Sequence, residues 1–152
     1  QFKIVVDGMS NVNVFAIATA SIRELKNKEE IVARIKSEVG FEVEVISGQD
    51  EAIYDYYGIM KEIGDATGML TDCGGGSTEI SLFTGDEIIF ADTMPIGSLN
   101  AYHRHVDGIF PAEEELISVK EETEKLLSKL SIPDDIKVCD WWYCKSYMQT
   151  RK

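Results

Sequence analysis

Residues Thr71 to Glu79 read TDCGGGSTE: an acid, three consecutive glycines, two hydroxyls and a second acid. Glycine has no Cβ, so successive backbone amides can point into one concave anion site. A phosphate fits such a cradle where a strand has just ended. Asp72, at that strand end, can hold Mg²⁺ directly or through water, and Glu79, opening the next strand, can complete the metal's shell. Ser77 and Thr78 add hydroxyl donors. The other reading of Gly74, Gly75 and Gly76 is a hairpin turn that uses glycine for positive φ. Such a turn needs one or two glycines, and neither flanking acids nor a hydroxyl pair.

A second stretch, ISGQDEA from Ile46 to Ala52, ends a strand, turns at Ser-Gly and opens a helix with Asp50 and Glu51. Acids in a first helical turn complement the helix dipole, which is reason enough for Asp50. Glu51 can instead face a cleft and take a proton from water attacking phosphorus.

The elements that must position these residues alternate between periods of two and 3.6. Val14 to Thr19 is a short apolar run that predicts a buried strand. NKEEIVARIKSEVG predicts a helix with Asn27 as cap, Glu30 three residues on, and Gly40 as the stop; Ile31, Val32, Ile35 and Val39 share one face. Phe41 to Ile46 alternates as a strand does. A helix over 49–63 presents Ile53, Tyr56, Tyr57, Ile59, Met60 and Ile63 as packing surface. Gly64 to Gly68 breaks the pattern and reads as a hinge. GMLTDC reads as a strand, and STEISLF and EIIFADTM flank the Gly85-Asp86 hairpin turn. After a turn at Pro95 to Gly97 come a short helix and a long one from Pro111 through Leu130, whose core stripe is Leu116, Ile117, Leu126, Leu127 and Leu130. Strands interleaved with helices imply an α/β fold.

The 152 residues carry a net charge of −12, which argues against broad binding to a nucleic-acid backbone. If the substrate is a polyanion, metal ions and backbone amides must supply the attraction. No apolar run is long enough to span a bilayer and no secretory signal is visible. The three cysteines, Cys73, Cys139 and Cys144, lack paired metal-site spacing and read as reduced cytoplasmic thiols. The first residue is Gln1 rather than Met, which suggests a chain cut at the front.

ATASIRELKN, EVEVISGQDEA, DCGGGSTEISLF and MPIGSLNAYHR, in this order and spacing, resemble the exopolyphosphatase/guanosine pentaphosphate phosphohydrolase (Ppx/GppA) family from about Phe15 to Leu130. The resemblance implies the actin-like ATPase (ribonuclease H-like) fold, with two lobes around a cleft, here as a partial two-lobed fragment. Residues 1–66 would be the back half of the first lobe and 67–152 the front part of the second. It implies hydrolysis of a terminal phosphoanhydride of inorganic polyphosphate or guanosine pentaphosphate with Mg²⁺ or another divalent cation, and, since family members are often dimers, allows a homodimer. Glu51 matches the family's catalytic glutamate, Asp72 and Glu79 its metal-binding acids, and Gly74, Gly75, Gly76, Ser77 and Thr78 its second phosphate loop. Arg23 matches an arginine near the cleft that can pair with phosphate; a helix-surface ion pair is its other reading. The first phosphate loop lies before this chain begins; DGMSN, Asp7 to Asn11, mimics it but reads as a plain loop. The fragment alone is therefore expected to be inactive.

Three departures stand out. Cys73 replaces a family aliphatic, and a buried cysteine does the same packing. Ile53 and Asn100 stand where basic residues are frequent, which bears on substrate affinity and choice. A non-catalytic polyphosphate or nucleotide sensor of the same fold is the alternative function. The segment 139–152 is odd: Trp141-Trp142-Tyr143-Cys144 must be encoded TGG TGG TAY TGY, and one base later this reads Gly-Gly-Thr, the family's sequence at this point, when Tyr143 is TAC. Out-of-frame translation from Cys139 onward is the reading preferred over a native aromatic tail, and it predicts that no strand forms there.

Overall fold

The computed structural model describes residues 2–133 and 142–144, which divide into two compact units, 1–47 and 48–152. The first unit holds α1 (Phe2–Asp7), β1 (Ala16–Ala18), α2 (Ala20–Arg23), α3 (Lys28–Val39) and β2 (Val43–Val45). β1 and β2 pair in parallel, Ala16 opposite Val43 to Ala18 opposite Val45. This is the geometry that a helical crossover permits. α3 ends as expected: Gly40 takes the left-handed conformation at φ 81°, and its N–H reaches the Ile35 and Lys36 carbonyls. Ile31, Val32, Ile35 and Val39 form its half-buried stripe. The start differs from expectation. Asn27 makes no side-chain cap bond, because at φ −110° and ψ 30° it lacks the extended geometry from which a cap reaches back. α1 was not anticipated; DGMSN leaves it at Asp7 and continues as a turn and bend.

The second unit holds α4 (Gly48–Ile63), β3 (Thr67–Cys73), β4 (Thr78–Thr84), β5 (Glu87–Met94), α5 (Ser98–His105), α6 (Glu113–Leu127) and β6 (Trp142–Cys144). Its sheet runs β5-β4-β3-β6, antiparallel from β3 to β5 and parallel between β3 and β6. Alternation sends the two faces of each strand to different partners. On one face Leu70 and Phe83 pack with Tyr56 and Ile59 of α4. On the other, Ile80 and Met94 pack with Ile96, Ala101 of α5, and Leu126 and Leu130.

Tyr56 is fully buried, and its hydroxyl donates to the Gly85 carbonyl at 2.7 Å, tying α4 to the β4–β5 turn, where Gly85 sits at φ 59°. Burial pushes the Tyr56 phenol above its ordinary value. The unit break at Ser47/Gly48 falls earlier than the expected lobe boundary at 66/67, since α4 lies against the second sheet.

Several expected core positions are exposed. Tyr57 lies outside the α4 stripe that Tyr56 and Ile59 define, and Leu116, Ile117 and Leu127 face away from the sheet, leaving Leu126 and Leu130 to pack. α6 begins at Glu113 rather than Pro111. Its start is closed by Glu115, which accepts from the backbone N–H of Ala112 at 2.7 Å and of Asp107 at 3.0 Å; those bonds hold its carboxyl below the usual range. Residues 142–144 do form a strand, contrary to the expectation for the tail: β3 presents an open edge of backbone donors and acceptors, which pairs with an extended segment whatever its side chains. The rest of 139–152, and with it the frameshift reading, lies outside the described residues.

Phe83→Ala should lower stability by about 3–5 kcal/mol, since it empties a ring from the α4 face of the sheet. Tyr56→Phe should cost only about 1 kcal/mol, because it removes one hydrogen bond and keeps the ring against Phe83. Urea denaturation of the full-length protein checks the ranking; equal losses would mean that the hydroxyl, not the apolar contact, fixes α4.

Candidate active site

Strand register decides which acids meet. Asp72 lies opposite Glu79 on the neighbouring strand, and Glu79 lies opposite Thr93 on the next. Directly opposed residues point to the same face, so the three form one row across β3, β4 and β5. Glu79 is buried, and its Oε1 accepts from the Thr93 hydroxyl at 2.8 Å.

The first turn of α4 crosses this row. Gly48 stacks on Thr93 so closely that a Cβ there would lie 2.0 Å from Thr93 Cγ2. One turn on, the Ser81 hydroxyl donates to the Ala52 carbonyl at 2.7 Å. Ser81 is two residues from Glu79 and shares its face, so α4 is pinned on both sides of Glu51. Glu51 is thereby held, half-buried, in the turn that covers the acid row. No group of three or more His, Cys, Asp or Glu is arranged to hold a metal among the described residues. A cation on Asp72 and Glu79 would thus fill its shell largely with water or substrate oxygens, the usual habit of Mg²⁺.

The glycine run is built differently from a glycine turn. The left-handed glycines are Gly40, Gly64 and Gly85; Gly74, Gly75 and Gly76 are not among them. The carbonyls of the run dock on the start of α5. The Gly74 carbonyl accepts from the Ser98 N–H at 2.8 Å and the Ser98 hydroxyl at 3.0 Å. The Gly75 carbonyl accepts from the Leu99 and Asn100 N–H groups, both at 3.0 Å, and the Gly76 carbonyl from Asn100 Nδ2 at 2.6 Å. A trans peptide sets each N–H opposite its carbonyl, so fixing these oxygens on α5 turns the following amides the other way. The Gly75 and Gly76 amides donate to no backbone carbonyl among the described residues. Gly97 makes the docking possible: a Cβ on it would meet the Gly74 oxygen at 2.7 Å and the Gly76 nitrogen at 2.8 Å.

The other anticipated residues fall as follows. Ser77 is buried beneath the loop. The Thr78 hydroxyl donates to the Ile96 carbonyl at 2.6 Å, so it ties the strand to the Pro95–Gly97 turn. Cys73 is exposed rather than buried, because it ends its strand where the sheet gives way to the loop. Arg23 belongs to the first unit, where Nη1 donates to the Ile46 carbonyl at 3.3 Å and Nε meets Glu24 at 3.4 Å; it lines a cavity of about 480 Å³ with Lys28, Ile46 and Ser47. Thr93, Gly97 and Asn100 were not singled out for this work. Gly97 had a visible signal, glycine just before a helix; Thr93 had none, since its role follows from strand register.

The model of the Ppx/GppA phosphatase family matches residues 1–152. The exopolyphosphatases 1 of Mycobacterium bovis and Mycobacterium tuberculosis are each 30% identical over 87 residues, 56% of this chain and 25% of theirs. Among solved structures, the Aquifex aeolicus PPX-GPPA enzyme is 35% identical with a TM-score of 0.64, over 87% of this chain and 44% of its own. A Cytophaga hutchinsonii exopolyphosphatase is 28% identical with a TM-score of 0.77, over 83% and 41%. The chain thus spans about a quarter of the curated relatives and under half of the solved ones, and it carries part of the α/β fold of those Ppx/GppA structures.

Gly97→Ala should destabilise by about 1–3 kcal/mol, since its Cβ meets backbone that cannot yield. Gly58→Ala, a helix-interior change with nothing within 4 Å of the new Cβ, should instead stabilise by about 0.5–1 kcal/mol. Chemical denaturation of the two full-length variants checks the opposite signs.

Proposed function

The chain belongs to the Ppx/GppA phosphatase family, and we propose that the whole protein removes a terminal phosphate from inorganic polyphosphate or guanosine pentaphosphate. The observation that supports this reading is the row Asp72–Glu79–Thr93 beside a glycine loop whose carbonyls are drawn onto α5. The loop amides bind the oxygens of the phosphoryl group being transferred, where developing charge needs donors fixed in advance. Asp72 and Glu79 hold a divalent cation, Mg²⁺ or another, through hard carboxylate oxygens. When bound, that cation neutralises phosphate charge. Glu51 orients the attacking water and accepts its proton, and its placement on a helix pinned at Gly48 and Ala52 keeps that geometry. Thr93 holds the Glu79 carboxylate in place.

Glu51→Gln in the full-length protein should slow phosphate release by about two to four orders of magnitude while tripolyphosphate affinity changes little. A near-wild-type rate would remove Glu51 from the mechanism; binding without hydrolysis by the wild type would make the protein a sensor. Asp72→Asn should raise the Mg²⁺ concentration needed for half-maximal activity, since an amide is the poorer ligand for a hard cation. An unshifted Mg²⁺ titration would make Asp72 a strand-end acid only.

A further inference from the structure

Asn100 makes two hydrogen bonds that point in opposite chemical senses. Its Oδ1 accepts from the Gly97 N–H at 2.7 Å, and its Nδ2 donates to the Gly76 carbonyl at 2.6 Å, with the Pro95 carbonyl farther off at 3.4 Å. Gly97 N–H can only donate and Gly76 C=O can only accept, so the side-chain amide has one satisfying orientation. Within the run, the Gly74 and Gly75 carbonyls are held by backbone N–H groups of α5, which any residue but proline at 98–100 would supply, with the Ser98 hydroxyl also on Gly74. The Gly76 carbonyl instead takes its α5 donor from a side chain, that of Asn100. Through the planar trans peptide, the direction of that oxygen sets the direction of the Ser77 N–H, the last amide of the cradle.

We propose that Asn100 is a positioning residue for phosphate binding: it aims the Gly76–Ser77 peptide so that its N–H joins the row of donors facing the bound phosphate. It touches neither substrate nor metal and acts through Gly76. The idea rests on the phosphohydrolase reading above and adds to it the side chain that fixes the end of the phosphate cradle. A mere helix cap would serve α5 through the Gly97 bond alone; the bond to Gly76 serves the loop.

The test uses the full-length protein and two variants, Asn100→Ala and Asn100→Asp. Alanine removes both bonds without adding charge. Aspartate keeps the acceptor for Gly97 but sets an oxygen against the Gly76 carbonyl. Polyphosphate turnover gives KM and kcat, tripolyphosphate titration gives Kd, and circular dichroism checks folding. Positioning predicts that both variants raise KM and Kd about tenfold or more, with kcat within about threefold of wild type, the pattern of lost binding rather than lost chemistry. Asn100→Ala with KM and Kd within twofold of wild type overturns the proposal, because any loss in Asn100→Asp is then its charge alone. If Asn100→Ala fails to fold, the isosteric Asn100→Asp decides, its loss counting for positioning only where it persists at high salt, where the added charge is screened. A wild type that binds tripolyphosphate but releases no phosphate overturns hydrolysis and leaves Asn100 to be judged on Kd. A wild type that does neither overturns both.

Discussion

Three carbonyl oxygens in the glycine run need donors, and the first turn of α5 has N–H groups that need acceptors. Neither set can be satisfied within its own element. Their union at Gly74, Gly75 and Gly76 solves both problems and sets the orientation of everything nearby. It requires two backbones to approach within the reach of a missing Cβ, hence Gly97. It also lays the positive end of the α5 dipole against the back of the loop. The loop is therefore shaped by what its carbonyls bind, and its amides face outward as a consequence.

The acids owe their places to a different rule, the two-residue period of strands. Asp72 and Glu79 flank the loop in sequence, and an antiparallel turn brings such flanking residues directly opposite each other. The face they share also carries Ser81 and Thr93, which is where α4 lands. The opposite face is apolar and takes α5 and the end of the α6 segment. One face of the sheet thus carries the polar row beneath the start of α4 and the Tyr56–Phe83 cluster beneath the rest of it, and the other face anchors the loop. α5 is itself braced on α6, where Glu122 receives both Arg104 and His105, and His105 also meets Ser118 at 2.8 Å.

Much of this was legible in the sequence because it is periodic or motif-borne. The β4–β5 hairpin around Gly85, the Gly40 helix stop and the apolar stripe of α3 follow from local rules and stand where those rules put them. What was not legible depends on tertiary context. Asn27 has the right chemistry for a cap but the wrong backbone angles, and those come from the loop before it. Leu116, Ile117 and Leu127 have helical spacing, yet the sheet is met only by Leu126 and Leu130. Asn100 read as a lost positive charge, because a sequence shows which charge is missing and not which carbonyl is waiting. The glycine run is not the left-handed hairpin turn that was its other reading: none of its glycines has positive φ, and its carbonyls dock on α5.

A chain of net charge −12 with two carboxylates flanking its glycine loop would repel the phosphate ligand proposed for it. At about 4 Å and an effective dielectric near 20, each carboxylate–phosphate pair would oppose binding by roughly 4 kcal/mol. Loop amides offset part of this, each hydrogen bond to a charged group contributing about 1.5–3 kcal/mol. A cation held by Asp72 and Glu79 would set positive charge against both terms. On the proposed function, the acid row would make phosphate binding depend on a divalent cation. Asn100 and Gly97 act on the other half of the balance: they fix the direction of neutral donors, whose attraction is short-ranged and effective only when aimed.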